Sequence, residues 1–206
     1  YYINMTGVHS KHMGLEFELR ATPVHWVEAG AMLSLGNWKW DSDNVKGYAY
    51  TLSGQAVTPD GGITTPGAPD HAYATINMKG IHIGGSAQTT AAIDVTFKPF
   101  TGCRIGGGFT HYSRNYAYYS LSGSSLKLGK EMNVVEPWKI PSYGCFDLWS
   151  SYKFMLGSLP ATVSGQVSNV FNNHYIEKAW NSTTASQDIV SVNPDEVYLF
   201  YSIGRT

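Results

Sequence analysis

The sequence predicts an all-β chain that forms part of the wall of a transmembrane antiparallel β-barrel, and three observations carry that prediction. Segments of about ten residues alternate apolar and polar side chains with period two, as strands with one face in an apolar medium do. The charged residues of those segments fall on the face opposite the apolar set. Their connections run short, long, short, long, which is the pattern of outer-membrane barrels, with tight periplasmic turns and long extracellular loops. Composition agrees. Charged residues make up 14% of the 206, against about 25% in ordinary soluble domains. The 22 Gly, 8 Phe, 6 Trp and 14 Tyr suit strands and turns better than helices. Lys and Arg number 14 and Asp and Glu 15, a net charge of −1, which argues against a nucleic-acid binder or a basic membrane-surface protein, since nothing would track phosphates or anionic headgroups. No apolar run is long enough for a membrane-spanning helix, and the mean hydropathy is −0.19.

Each element follows from its own pattern. Residues 13–21 set Leu15, Phe17 and Leu19 against Glu16, Glu18 and Arg20. Pro23 suits the turn that follows, and residues 26–36 set Val27, Ala29, Ala31, Leu33 and Leu35 against Glu28, Gly30, Met32 and Ser34. A Gly- and Pro-dotted stretch from 37 to 85 reads as a long loop. Residues 86–98 then put Ile93, Val95 and Phe97 opposite Asp94, Thr96 and Lys98. After a short turn, residues 103–114 oppose Ile105, Gly107 and Phe109 to Arg104, Thr110, Tyr112 and Arg114. A second long loop, 117–142, precedes residues 143–155, where Phe146, Leu148, Tyr152 and Phe154 face away from Asp147, Trp149, Ser151 and Lys153. A turn at 156–160 leads to strand 161–171, a third long loop ends near Asp195, and 197–203 begins a last strand. The expectation is seven strands and no helix, with the short turns periplasmic. An odd count does not close a bacterial barrel, so further strands of a longer chain are expected.

The side chains that carry chemistry are few. Cys103 and Cys145 are the only cysteines, and the strand assignment separates them by ten residues, roughly 33 Å at about 3.3 Å per residue, so both are expected as free thiols. His9 and His12 are spaced for a helix rather than for one face of a strand. Asp41-Ser42-Asp43-Asn44 starts like a calcium loop, but Lys46 and Leu52 stand where the template wants Gly and Glu, and the stretch reads as a solvated loop tip. No nucleophile elbow, phosphate loop, dinucleotide fingerprint or zinc helix motif occurs, so no enzyme, cofactor or metal is expected. The aromatic residues near the long loops are the candidates for an interfacial girdle or for ligand stacking: Trp38, Trp40, Tyr116, Tyr118, Tyr119 and Trp138. Arg114, expected to point inward near the mouth, is the candidate for an anionic group.

Specific strings carry a family resemblance. VSNVFNNHYI at 167–176, with Asn169, Val170, Phe171, Asn172 and Tyr175, resembles the penultimate-strand signature of TonB-dependent outer-membrane receptors. PSYGCFDLWSSYKF at 141–154 resembles the strand before it, and FYSIGRT at 200–206 the first half of the final strand. With KHMGLEFEL, GGSAQTTAAIDVTFKPF and RIGGGFTHYSRNYA the resemblance extends over nearly the whole chain. It implies strands sixteen to twenty-two of a 22-stranded barrel in the bacterial outer membrane, a plug and TonB box elsewhere in the protein, and energised uptake through the TonB system. NVFNNHYIEKAWN departs from the NLFTxTxYxGxDPE string of glycan importers that pair with a surface lipoprotein. The resemblance therefore favours a siderophore, haem or vitamin-type ligand. A glycan or peptide importer with a lipoprotein partner, and a non-transporting adhesin or glycan-binding barrel, stay open as alternatives.

Overall fold

The computed structural model describes residues 1–119, 128–186 and 189–206, without the side chains of residues 119 and 181–196. Seventeen strands follow in chain order: β1 (Tyr2–Met5), β2 (Ser10–Val24), β3 (Val27–Trp40), β4 (Val45–Tyr50), β5 (Ala56–Val57), β6 (Ile63–Thr64), β7 (Tyr73–Asn77), β8 (Thr89–Phe97) and β9 (Cys103–Ser113). Then come β10 (Asn115–Tyr116), β11 (Tyr118–Tyr119), β12 (Glu131–Val134), β13 (Lys139–Ile140), β14 (Tyr143–Leu156), β15 (Leu159–Val167), β16 (Ile176–Ser186) and β17 (Ile189–Tyr201). The all-β expectation holds, and no helix of the described residues is long and apolar enough to cross a membrane.

Six long strands form one antiparallel meander, in the order β2-β3-β8-β9-β14-β15, each paired with its predecessor. These are the first six strands read from the sequence, and their register unites the separate apolar faces. Leu19, Ala31, Ile93, Phe109 and Phe146 lie abreast on one face, and Ala21, Ala29, Val95, Gly107, Leu148 and Val167 form the next row. Among the described residues nothing covers this face: Leu19 is 65% exposed and Ile93 62%. At the short-turn end it carries an aromatic border, where Trp26 stacks on Phe97 at 6.2 Å, Phe100 meets Tyr152 edge-on at 5.9 Å and Tyr152 stacks on Phe154 at 5.8 Å.

The opposite face is polar and held together by ion pairs that skip a strand. Arg20 on β2 reaches Asp94 on β8 at 3.2 Å, over Gly30 of the intervening β3. A Cβ at Gly30 would collide with both partners, so bare backbone is what lets the pair form. Glu28 holds Lys98 and Arg104 in the same way, tying β3 to both sides of the β8–β9 turn. Farther along, Trp149 of β14 lies flat across Gly106 and Gly108 of β9. Substituting Gly30→Ala is expected to part Arg20 from Asp94 and lower the urea midpoint only slightly, since the pair is solvent-facing. A urea titration of G30A, R20Q and the double variant checks this, the two losses being less than additive.

The long connections are not loops. β4 to β7, β10 to β13, β16 and β17 occupy the stretches read as unstructured, and most join in a nine-stranded sheet, β11-β16-β17-β12-β7-β4-β5-β6 with β1 beside β4. These strands are two to six residues long except β16 and β17, and several of their pairings, such as β1 with β4 and β7 with β12, join distant parts of the chain, so period-two reading had little to find. The last strand also differs from expectation. It starts at Ile189 and pairs with β16, while Ser168 at the end of β15 exchanges backbone hydrogen bonds with Thr206. The six-stranded sheet is open, and no closed barrel forms among the described residues.

The fully buried hydrophobic residues of the described chain belong to this second sheet, to the separate two-stranded sheet of β10 and β13, and to the connections between strands. One cluster joins Ala74, Ile76, Met78 and Met132, a second Ala49, Val57 and Ala72, a third Ala117, Ile140 and Ala179. None comes from the six-stranded meander. Trp40 at the end of β3 packs into the first cluster, and backbone bonds from Ile83 to Trp38 and from Trp40 to Ile81 join the sheets.

Both cysteines are free. The register sets Cys145 level with Thr110 and Cys103 level with Tyr152, which is seven residues along β9 rather than ten, or about 23 Å at the usual strand rise. They also lie on opposite faces, Cys103 on the apolar and Cys145 on the polar one. The Asp41–Asn44 stretch is only partly a solvated tip. Ser42 is buried at 3% exposure, where its hydroxyl donates to the His9 carbonyl at 3.1 Å and accepts from the His9 amide. Asn44, at φ 54°, donates its amide to Asn77 Oδ1 at 2.7 Å.

Candidate functional site

The predicted aromatic candidates gather where the two sheets meet, but on the polar side and in the second sheet rather than as a lipid-facing girdle. Trp38 and Trp40 stand opposite His12 and Ser10, on the face that carries Glu16 and Glu18. Trp38 is half-buried, with its ring tilted against His12 at 5.8 Å. Gln88, 1% exposed, clamps it: Oε1 accepts from the Trp38 amide at 3.1 Å, and Nε2 donates to the Trp38 carbonyl at 3.0 Å and to that of Ile83 at 3.3 Å. Arg114 closes the same node. It sits at φ 54° just past β9, accepts from the Gln88 amide through its own carbonyl, and donates from Nη1 to the Gly36 carbonyl at 2.9 Å. Its guanidinium thus straps β9 to β3.

Tyr116 is buried and stacks on His82 at 4.3 Å with an interplanar angle of 7°. Glu136 accepts both the His82 amide, at 3.2 Å, and a bond from Nδ1, at 2.8 Å, which orients the ring. Trp138 is half-buried against Ala117, Ile140 and Ala179. Tyr118 remains exposed, and its ring tilts against exposed Trp180 at 6.0 Å. The Tyr119 side chain lies outside the described residues. Of the predicted set, Tyr118 is the one described aromatic left open to solvent, and its partner Trp180 was missed because it fell in a stretch read as loop.

A second node forms around His71, which is 3% exposed. Its Nδ1 accepts from the Gly67 amide at 3.2 Å and its Nε2 donates to the Ala49 carbonyl at 2.9 Å, while Tyr48 and Tyr50 contact its ring at 4.8 and 5.0 Å. With both ring nitrogens used by backbone, His71 is a structural tie. Removing a buried group with two such bonds is expected to cost about 2–3 kcal/mol. Limited proteolysis of His71→Ala checks this, with cleavage within residues 51–72 rising while the six-stranded meander stays protected.

The NVFNNHY string builds the third node. Asn169 is 4% exposed and takes φ 50°, a conformation Asn tolerates better than other non-glycine residues. Its amide donates to Asp147 Oδ1 at 2.7 Å, its Oδ1 accepts from the Asn173 amide at 3.0 Å, and its Nδ2 donates to the Asn173 carbonyl at 2.9 Å. Asn172, at φ 54°, accepts from the Arg205 amide at 3.0 Å. Tyr175 stacks on Tyr143 at 4.0 Å and 9°. Asn169 and Tyr175 border a polar cavity of about 240 Å³ shared with Tyr112, Cys145, Asp147 and Glu177.

Burial, reinforced by the Cys145 thiol beside it, holds the Tyr175 phenol well above its ordinary value of 10.0. The folded chain therefore binds that proton more tightly than the unfolded one. The associated stability is present below pH 10 and falls as pH rises toward the folded value. Tyr175→Phe is expected to flatten the decline in urea midpoint between pH 9 and 11.

Among the described residues no group of three His, Cys, Asp or Glu side chains is placed to hold a metal ion. No family model, curated protein or solved structure matches the chain.

Proposed function

We propose that the six-stranded meander is a segment of an outer-membrane β-barrel wall, with lipid against its apolar face and an aqueous lumen against its polar face. In this reading the protein is a TonB-dependent receptor that imports a scarce nutrient of the siderophore, haem or vitamin type, without catalysis. One observation carries the membrane assignment: a continuous apolar face across six strands stands uncovered among the described residues, while none of the fully buried hydrophobic residues described belongs to those six strands. Uncovered apolar patches on soluble monomers rarely exceed a few hundred Å², and six strands of 9 to 15 residues go far beyond that. Strand length fits a bilayer, which tilted strands of about 9–11 residues cross. The receptor assignment rests on the motif strings, and the NVFNNHY turn gives two of its three asparagines, Asn169 and Asn172, a physical reason: positive φ.

The second sheet stands over the end without tight turns, where an external ligand would arrive. Its exposed Tyr118 and Trp180 rings are the surface offered for stacking. The partners in this reading are outer-membrane lipid, the ligand, and a TonB system acting through a plug. Cell fractionation and uptake test it. The protein is expected in the outer-membrane fraction with heat-modifiable migration, and labelled ferric siderophore or cyanocobalamin should accumulate only while the proton gradient is maintained. Recovery from the soluble fraction overturns the membrane assignment. Binding of cells to a surface glycan, with no gradient-dependent uptake of either probe, supports the adhesin alternative instead.

A further inference from the structure

On its polar side the meander meets the NVFNNHY turn and the last residues of the chain, and the cavity of about 240 Å³ lies between them. Tyr112 of β9 and Tyr175 border it. Tyr143 stands between their rings, 5.0 Å from the first and 4.0 Å from the second. The aromatic side of the wall is thus held in place by stacking.

The charge of the cavity has one sign. Asp147 and Glu177 both line it, and neither has an ion-pair partner among the described residues. No lysine, arginine or histidine is among the lining residues. Asp147 is half-buried where it accepts the Asn169 amide, and Glu177 is exposed. A further observation is independent of charge. Ser202 lines the same cavity, and its hydroxyl oxygen is buried without a hydrogen-bond partner among the described residues. Buried polar groups nearly always find partners, so an open hydroxyl here points to something the cavity receives.

Rings, uncompensated carboxylates and an open hydroxyl together select a ligand class. Anions are repelled. A metal ion is poorly served, because among the described residues no three His, Cys, Asp or Glu side chains are placed to hold one. An alkylated ammonium suits the whole set, since aromatic rings attract a weakly hydrated cation and carboxylates balance its charge. We infer that this cavity binds an organic ammonium of the choline type, with Tyr112 and Tyr175 beside the methyl groups, Asp147 and Glu177 opposing the charge, and Ser202 meeting the ligand's hydroxyl. The site shares no residue with the Tyr118 and Trp180 surface. Its chemistry is the same whether lipid or water meets the far face of the meander.

Cys145 lies in the cavity wall and reports on it. In a Cys103→Ala background it is the one thiol of the chain. Its modification by the trimethylammonium and the sulfonate forms of an ethyl methanethiosulfonate reagent is timed in the folded protein and, as reference, in the urea-unfolded chain. Relative to that reference the cationic reagent is expected to be favoured roughly tenfold. Choline should slow both reactions. Its neutral isostere, with carbon in place of nitrogen, and sodium chloride at equal concentration should not. Glu177→Gln should weaken protection by choline severalfold while the urea midpoint stays unchanged. Ser202→Ala should weaken protection by choline but not by tetramethylammonium. Absence of protection by choline, or equal protection by the neutral isostere, overturns the proposal. So does protection by calcium chloride without protection by choline, which would assign the carboxylates to an inorganic ion.

Discussion

Replacing Ile93 by Arg is expected to prevent the chain from folding into lipid vesicles, whereas Ala92→Arg, one residue away, is expected to leave folding nearly unchanged. Ile93 is 62% exposed, and by solvent accounting a charge at such a site costs within about 0.5 kcal/mol either way. In a bilayer the accounting inverts. The side chain lies in the middle of a row that includes Leu19, Ala31, Phe109 and Phe146, and an arginine at the midplane of a barrel wall costs about 2–4 kcal/mol. Ala92 sits in register with Met32 and Thr110 on the polar face, where a guanidinium meets water. The folded fraction in vesicles, read by migration without heating and by urea midpoint, distinguishes the cases. Equal behaviour of the two variants would remove the main support for the lipid-facing reading.

The second large effect belongs to Asn169. Alanine there loses the two side-chain bonds to Asn173 and is forced to hold φ 50° without the local hydrogen bonding that eases it. Lost bonds to a buried backbone cost about 1–3 kcal/mol, and the left-handed conformation adds about 1–2 kcal/mol for a residue with a Cβ. The expected loss is about 2–5 kcal/mol in unfolding free energy. Asn169→Gly keeps the conformation without strain and should recover roughly the backbone part. If glycine proves no better than alanine in urea titrations, the turn is held by the side-chain bonds alone and positive φ is not what the position requires.

How much of this was legible in the sequence depended on where each strand's partners lie. β2, β3, β8, β9, β14 and β15 each carry an unbroken alternation, because one face meets a single apolar environment along its whole length. Their boundaries moved by only a few residues, β15 ending at Val167 rather than 171 because Asn169 turns the chain. The second sheet was missed for the opposite reason. Val45 to Tyr50 alternates buried and half-exposed side chains, but as Val-Lys-Gly-Tyr-Ala-Tyr it buries glycine and alanine, which carry no hydrophobic signal. Its register is set by β1 and β7, far away along the chain. Site residues divided along the same line. Aromatic rings near the second sheet were found by type alone, although Trp38 and Trp40 turned out to face the polar side. Gln88 and His71 could not be found that way, since their importance lies in backbone groups such as Gly36 and Ala49 that they reach only after folding. Arg114 was found, but its Nη1 is spent on Gly36.

The open meander also has a mechanical consequence. Its outermost strands, β2 and β15, each present a row of backbone donors and acceptors with no neighbouring strand among the described residues. Both rows belong to one molecule, and antiparallel alternation makes the free side of β15 a geometric complement to the free side of β2 in another copy. Association through such unlike edges is head-to-tail, so nothing limits it to a pair. It ends in a ring where the sheet's curvature brings the last copy back to the first, and in a filament where it does not. The sheet's curvature therefore selects between a discrete assembly and a fibre, and concentration during refolding sets how much of either forms.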